Sequence, residues 1–172
     1  MKEVEIEKAL QSKYPLPVAL ATSVDRKNRP NIITLAWYMQ TSIKPLMFAI
    51  SIAHSRYSYE TILSSGEFCL VFPPAEWADA ALFCGTKSGR DTDKFDATGL
   101  VPLKPSKIQS PLIEGANAGF ECRLIAATPT GDHTIFVGKA VTAYMSDVQK
   151  PGLYLLDKGY KLGPVKTILP NK

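Results

Sequence analysis

Alternating large and small residues predict three strands in the first third of the chain. Over residues 18–24, Val18 and Leu20 point to one side of a strand, and Ala19 and Ala21 point to the other. Similar alternation runs over residues 31–38 and 46–52. The polar segment 25–30 separates the first two runs, so these two strands are predicted to form a hairpin.

Each of these strands has one bulky face and one face made mainly of Ala, Ser and Thr. Thr34 and Ala36 lie on the small face of the second strand, and Ser51 lies on that of the third. A flat ligand, a neighbouring subunit or a covering loop would fill such a surface, and a closely packed helix would fill it equally well. After residue 38 the alternation is lost, and a polar loop is predicted at residues 40–42, before Pro45.

The rest of the chain predicts three more strands and a few short helices. The expected helices are an amphipathic helix over residues 3–12, a helix that is capped by Ser55 and ends at Gly66, and a helix from Pro74 to a stop at Gly85. The expected strands are residues 67–72, 118–127 and 134–144, the last two joined by a turn at 128–133. The other segments are a polar loop over 86–98, an extended crossover over 100–117, and an aromatic tail from Gly152 that docks on the body.

About six strands in hairpins indicate a mainly β antiparallel barrel with a few short helices. The chain has no βαβ alternation and no Gly-x-Gly-x-x-Gly sequence, which counts against a Rossmann domain. A length of 172 residues predicts one domain over residues 1–172.

Composition excludes several classes of protein. The net charge is +4, and no run of five or six like charges occurs, so a nucleic-acid partner is not indicated. The sequence shows neither a signal peptide nor an apolar run near the roughly 20 residues that cross a bilayer, so no membrane association is expected. Cys69, Cys84 and Cys122 stand apart in apolar segments and predict reduced thiols, hence the cytoplasm.

Two segments carry side chains that suit an anion. Ser55, Arg56 and Ser58 stand where a strand enters a helix, and a helix N-terminus with an arginine can hold a phosphate. The alternative is ordinary capping beside a surface arginine. Residues 87–95 combine lysine, arginine and hydroxyl groups around Gly89 and could close over the same anion, or form a solvated surface loop.

His133 follows Gly131-Asp132 in a turn between two predicted strands. It could contact an anionic or redox-active partner, or be a hairpin histidine without a function. No nucleophile with a paired base, no carboxylate pair and no metal-ligand spacing is evident. The side chains therefore point to chemistry supplied by a cofactor, with no metal site.

Five motifs in this order resemble the flavin reductase-like family, the FMN-binding split-barrel proteins that include flavoredoxin. The resemblance covers roughly residues 13–163. The motifs are Pro17-Val-Ala-Leu-Ala-Thr-Ser with Asp25, Asn31-Ile-Ile-Thr-Leu-Ala-Trp, Ser55-Arg-Tyr-Ser, Ser88-Gly-Arg-Asp-Thr-Asp-Lys-Phe and Gly131-Asp-His.

The resemblance implies a Greek-key split β-barrel that forms a homodimer, with FMN near the dimer interface. It places the cofactor-binding residues as follows: Thr34, Ala36, Trp37 and Tyr38 beside the flavin ring, Ser51 in the same site, Arg56 and Ser58 at the phosphate, and Ser88 and Lys94 in a loop that closes near the ribityl-phosphate end. His133, in the Gly-Asp-His motif, is the expected catalytic residue, near the nicotinamide donor and the flavin.

The implied activity is that of an FMN-dependent oxidoreductase that takes electrons from NAD(P)H; FAD could replace FMN. Family reductases that feed monooxygenases often have Asn-Ser where this chain has Ala36-Trp37, a form closer to flavoredoxin. Two alternatives stay open. One is an FMN electron carrier reduced by a redox partner protein, and the other is a non-catalytic flavin-binding protein.

Overall fold

A seven-stranded antiparallel sheet forms the body of the protein in the computed structural model, which describes residues 1–165. The strands are β1 (Leu16–Pro17), β2 (Ala19–Val24), β3 (Pro30–Leu35), β4 (Tyr38–Ile43), β5 (Leu46–Ala53), β6 (Glu67–Phe72), β7 (Pro102–Leu103), β8 (Leu112–Ile113), β9 (Ala118–Thr130), β10 (His133–Met145), β11 (Tyr154–Leu155) and β12 (Leu162–Gly163). The order in the main sheet is β3-β2-β6-β9-β10-β5-β4. The predicted β2–β3 hairpin and the mainly β architecture are confirmed.

Short helices pack against this sheet. They are α1 (Ile6–Ala9), α2 (Tyr57–Ser65), α3 (Ala78–Thr86) and α4 (Lys94–Thr98), with 3₁₀ turns at Leu10–Lys13 and Ala75–Trp77. α2 packs in one apolar cluster, and α3 and α4 pack in the other. Gly66 ends α2 in the left-handed conformation, as predicted. None of the helices within residues 1–165 combines the length and the apolarity that a membrane span requires.

Two apolar clusters form on opposite faces of the sheet. The inner cluster includes Ile33 of β3, Ile50 of β5 and Phe68 of β6, so the sheet curls until strands that are not neighbours meet across the interior. The outer cluster joins Leu20 of β2 to Ala81 of α3. Burial of both faces of β2 stabilises the region where the sheet and α3 meet.

A closely packed helix accounts for part of the small-residue surface. The Oγ1 of Thr34 donates a hydrogen bond of 2.6 Å to the carbonyl oxygen of Ala81 in α3. A Cβ at Gly85 would lie 3.2 Å from the Cβ of Thr34. The predicted stop of this helix at Gly85 is wrong, because α3 continues to Thr86 and uses Gly85 to approach β3.

Three other predictions of local structure are wrong. Residues 40–42 belong to β4, an edge strand that pairs with β5 and is largely exposed, so it needs no apolar alternation. The N-cap of α2 is Arg56 instead of Ser55, and no side chain caps this helix. The helix that was predicted from Pro74 begins with a 3₁₀ turn and becomes α-helical at Ala78.

The predicted polar loop over 86–98 and turn over 128–133 are shorter than expected. α4 begins at Lys94 because the carboxylate of Asp93 accepts hydrogen bonds from the backbone N–H groups of Phe95 and Asp96. β9 and β10 leave only Gly131 and Asp132 between them, with Gly131 at φ 60°.

The two ends of the chain meet in a small separate sheet. β11 pairs with β1 on one side and with β12 on the other, so the tail docks as predicted as far as residue 165. The remainder of the predicted tail, residues 166–172, lies outside the described residues. The amphipathic helix predicted over residues 3–12 is α-helical only at Ile6–Ala9 and continues as a 3₁₀ turn at Leu10–Lys13, and none of these residues is buried.

The three cysteines are buried free thiols. Burial raises the pKa of Cys84 to about 11 and that of Cys122 to about 12, and it raises the pKa of Cys69 as well. At neutral pH these groups are therefore protonated and unreactive.

Candidate functional site

A cavity of about 420 Å³ lies where β3 ends, next to β5 and α3. More than half of its lining is apolar, and Ala36 and Trp37 of the segment that leaves β3 are part of it. Residues from both ends of the chain complete it, because the β1–β11 pair brings the ends together. The cavity is lined, among others, by Lys13, Thr34, Ala36, Trp37, Ser51, Arg56, Leu82, His133, Lys158 and Tyr160.

A second cavity, of about 150 Å³, adjoins the first. Both cavities are lined by Ile33, Ser55, Arg56 and Gly85, so the N-terminal approach to α2 forms their common wall. The other residues that line the smaller cavity include Ser58, Lys87, Ser88, Gly89, Arg90 and Lys94. An elongated site therefore has a broad part and a narrow end, which we call the polar end for its hydroxyl and cationic side chains.

Lys94 is the most constrained charged group at the polar end. Its side chain is only 4% exposed, and its Nζ donates hydrogen bonds to the carbonyl oxygens of Ile32, at 2.7 Å, and Cys84, at 2.8 Å. No carboxylate forms an ion pair with it within residues 1–165. Burial lowers the pKa of Lys94 to about 8. The third Nζ–H group remains available for an anion.

Ser58 and Gly89 also line the polar end. The Nδ2 of Asn31 donates a 2.8 Å hydrogen bond to the Oγ of Ser58, which leaves the Ser58 hydroxyl proton for another acceptor. The Oδ1 of Asn31 is buried and has no hydrogen-bond partner in the described part of the chain. A Cβ at Gly89 would lie 2.0 Å from this oxygen, so a larger residue there would displace the Asn31 side chain.

Arg90 anchors the loop between α3 and α4 over α2. Its Nη1 donates a hydrogen bond of 3.2 Å to the carbonyl oxygen of Ser55, and its Nη2 pairs with the carboxylate of Glu60. The guanidinium also lies 5.3 Å from the ring centroid of Tyr57. Arg56, in contrast, makes no side-chain hydrogen bond to any residue in 1–165 and is exposed. Its guanidinium is therefore available to a ligand in either cavity.

The two cavities are lined by cations without carboxylates. The lining residues include Lys13, Arg56, Lys87, Arg90, Lys94 and Lys158, together with His133, and no Asp or Glu from residues 1–165 is among them. Such a lining concentrates positive potential and favours an anionic ligand.

Trp37 and His133 form one side of the larger cavity. Their ring centroids are 4.8 Å apart, and the Nδ1 of His133 lies 2.6 Å from the Oδ1 of Asp132. The backbone N–H of Ser51 donates a hydrogen bond of 2.9 Å to the carbonyl oxygen of Trp37, which ties the segment after β3 to β5. The hydrogen bond from His133 lowers the pKa of Asp132. The imidazole is thus held by a carboxylate at one nitrogen and has the other available.

The structure brings most of the sequence-predicted site residues together. Thr34, Ala36, Trp37, Ser51, Arg56 and His133 line the larger cavity, and Arg56, Ser58, Ser88 and Lys94 line the smaller one. Lys94 lies in the first turn of α4 instead of a flexible loop.

Tyr38 lines neither cavity. Its ring packs 5.9 Å from that of Phe72, and burial raises its pKa to about 12. β4 begins at Tyr38 and turns its side chain toward the barrel, and the predicted place of Tyr38 beside the ring of a ligand stays a prediction.

Sequence reasoning missed the residues from the chain ends. Lys13, Tyr14, Lys158 and Tyr160 line the larger cavity. No spacing rule connects residues so far apart in sequence. The concentration of aromatic residues in the tail was the only signal that this segment is packed.

Comparison with known proteins finds similarity to flavin reductases. A family model described as a flavin reductase like domain matches residues 11–163. A flavin reductase of Pseudomonas putida is 30% identical over 132 residues, which are 76% of this chain and 74% of that protein.

Solved structures share the fold. Flavoredoxin of Desulfovibrio vulgaris (Miyazaki F) superposes with a TM-score of 0.85 at 24% identity and covers 99% of this chain and 97% of its own. An FMN-binding protein from Thermus thermophilus, with bound p-hydroxybenzaldehyde, superposes with a TM-score of 0.86 at 26% identity and covers 99% and 100%. These likenesses confirm the predicted split-barrel fold.

Proposed function

The chain belongs to the flavin reductase-like family, and we propose that it is an FMN-dependent oxidoreductase that passes electrons from NAD(P)H to an acceptor. The observation that carries this proposal is a broad cavity that adjoins a narrow one, with the buried ammonium of Lys94 and the hydroxyl groups of Ser58 and Ser88 at the narrow one. FMN has a planar ring that suits the first and a phosphate that suits the second.

The residues of the polar end fit a phosphate. Lys94 has one free N–H donor, Ser58 has a free hydroxyl proton, and the guanidinium of Arg56 makes no bond to the described protein. Ser88 adds a hydroxyl group from the loop after α3. A phosphate would offset the cost of burying the Lys94 ammonium without a carboxylate, and it would receive charge-assisted hydrogen bonds.

The broad part of the site fits a ring. Thr34, Ala36 and Ser51 present small side chains and backbone, and Trp37 limits the cavity on one side. Bound flavin would supply hydride acceptance and electron release, which no side chain in the cavity can supply. The chain itself would bind and orient the ring, and His133, held by Asp132, would orient the donor beside it.

A flavoredoxin-like electron carrier is the second candidate. Trp37 is 50% exposed, and Tyr160, which lines the same cavity, is 64% exposed. Exposed aromatic side chains at a redox site suit transient contact with a partner protein. The acceptor would then be that partner. If small molecules serve as acceptors, p-hydroxybenzaldehyde in the Thermus thermophilus relative suggests planar carbonyl compounds as one class.

Anaerobic mixing of the FMN-loaded protein with NADH or NADPH tests the reductase proposal. The same experiment with the His133→Ala variant tests the role of the histidine. Loss of the imidazole should slow reduction of FMN about tenfold or more, because a positioned group near the hydride is lost. FMN affinity should change much less. Stopped-flow absorbance and FMN titration give the two quantities.

His54→Ala is the matched control, because its imidazole bonds to Thr134 and does not line the cavity. Equal reduction rates in the His133→Ala variant and the parent would contradict the role of His133. If neither NADH nor NADPH reduces the parent protein but a reduced redox protein does, the electron-carrier alternative is favoured.

The exposed edge of the main sheet supports a homodimer, which we propose as the functional form. Met39 and Ile43 of β4 are 61% and 78% exposed on this edge strand, where backbone groups are open to pairing. Sedimentation equilibrium is expected to give twice the mass of one chain, and Ile43→Asp is expected to shift the equilibrium toward the monomer. A parent with the mass of a single chain would exclude the dimer.

The affinity for FMN should depend on pH through Lys94. Its pKa of about 8 lies below the usual 10.5, so the free protein loses this proton above pH 8, whereas an adjacent phosphate favours the charged form. Affinity should therefore be steady between pH 7 and 8 and fall by up to about tenfold per pH unit above pH 8. Calorimetric titrations from pH 7 to 10 measure this dependence.

Lys94→Met should bind FMN more weakly at pH 7 and lack this pH dependence. Lys27→Met, an exposed variant on the β2–β3 turn, should retain the dependence of the parent. An affinity that stays constant in the parent up to pH 10 would show that Lys94 does not bind the phosphate.

A further inference from the structure

The larger cavity has a second cationic end that the FMN site does not use. Lys13 and Lys158 line this cavity but not the smaller one, whereas Arg56 lines both. The phosphate clamp at Arg56 and Lys94 therefore occupies one end of the elongated site. Lys13 and Lys158 belong to the other part, which we call the outer end.

The small sheet at the chain ends builds this outer end. The register of β1 with β11 pairs Leu16 with Leu155, which brings the segments that contain Lys13 and Lys158 to the same cavity. The Asp157 carboxylate accepts hydrogen bonds from the N–H groups of Gly159 and Lys161, at 2.8 and 3.3 Å. These bonds close the turn that carries Lys158 and Tyr160, which both line the cavity.

Aromatic side chains surround the Lys13 ammonium. Its Nζ lies 5.1 Å from the ring centroid of Trp37 and 5.5 Å from that of Tyr14. Trp37 in turn contacts the imidazole of His133. The outer end thus combines a cation with flat rings, an arrangement that suits a planar ligand with a negative charge.

No carboxylate neutralises the two lysines in the described part of the chain. Neither ammonium has a carboxylate oxygen within 4.0 Å there. The acidic residues adjacent in sequence to the lining residues are Asp132 and Asp157, which bond to His133 and to backbone N–H groups and do not line the cavity. The positive charge of the outer end remains available to a ligand.

We propose that the outer end binds the anionic group of a second planar ligand, with its charge at Lys13 and Lys158 and its ring beside Trp37. This proposal rests on the proposed function, since the ring would then lie in the flavin cavity. The shared chemistry is a flat ring that carries a phosphate or a carboxylate. Two classes of ligand carry such a ring and charge. One is a pyridine nucleotide, which would be the electron donor, and the other is an aromatic carboxylate, which would be the acceptor.

Two pairs of ligands test the proposal by binding alone, without catalysis. In each pair, one member carries an anionic group that the other lacks. One pair is nicotinamide mononucleotide and nicotinamide riboside, which differ by the phosphate. The other is 4-hydroxybenzoate and 4-hydroxybenzamide. Calorimetry on the FMN-loaded protein at low salt should show that the anionic member of at least one pair binds about tenfold tighter, as expected for contacts with two cations.

The Lys13→Met/Lys158→Met double variant should lose this preference and still take up FMN, because it retains Arg56, Lys94 and Ser58. The control is Lys27→Met/Lys44→Met, two exposed lysines outside both cavities, which should retain the preference. A preference in the mononucleotide pair identifies the donor as the ligand, and a preference in the benzoate pair identifies the acceptor.

Equal affinity within both pairs would overturn the proposal, and so would a preference that the double variant retains. If the proposed function is wrong, the result will differ, because the protein will take up no FMN. In that case the same titrations on the flavin-free protein still compare the parent with the double variant. If the parent prefers the anionic ligand and the double variant does not, the outer site is supported. If the two proteins show the same preference, the proposal is overturned.

Discussion

A buried ammonium without a carboxylate partner is the constraint on which the site depends. Lys94 bonds to carbonyl oxygens at Ile32 in β3 and Cys84 in α3, and so connects the sheet, α3 and α4 at the narrow cavity. Two carbonyl groups only partly replace the water that a charged amine loses on burial. The lowered pKa of Lys94 reflects this cost, and an anion in the cavity would remove it.

The barrel positions this charge by joining distant parts of the chain. β3 supplies the floor, the approach to α2 supplies Arg56, and the loop after α3 supplies Ser88 and Gly89. Gly89 lets that loop approach Asn31, and Arg90 holds it over α2. The narrow cavity is therefore assembled largely by the fold, and a ligand phosphate would complete an arrangement that already exists.

Sequence patterns predicted the parts of the fold that depend on local signals. The β2–β3 hairpin, β6 and the Gly66 end of α2 were predicted, because each has alternation or a turn residue of its own. β4 was missed because an exposed edge strand has no apolar face. Lys13 and Lys158 meet only through the pairing of β1 with β11, which no motif records.

The most direct measurement is a comparison of FMN with riboflavin, which lacks the phosphate, by calorimetric titration of the flavin-free protein. If Arg56, Lys94 and Ser58 hold the phosphate, FMN should bind roughly a hundredfold tighter or more, since each hydrogen bond to a charged group contributes about 1.5–3 kcal/mol. Arg56→Ala should narrow this difference, and Arg26→Ala, an exposed arginine on the β2–β3 turn, should leave it unchanged. Riboflavin that binds as tightly as FMN would contradict the account.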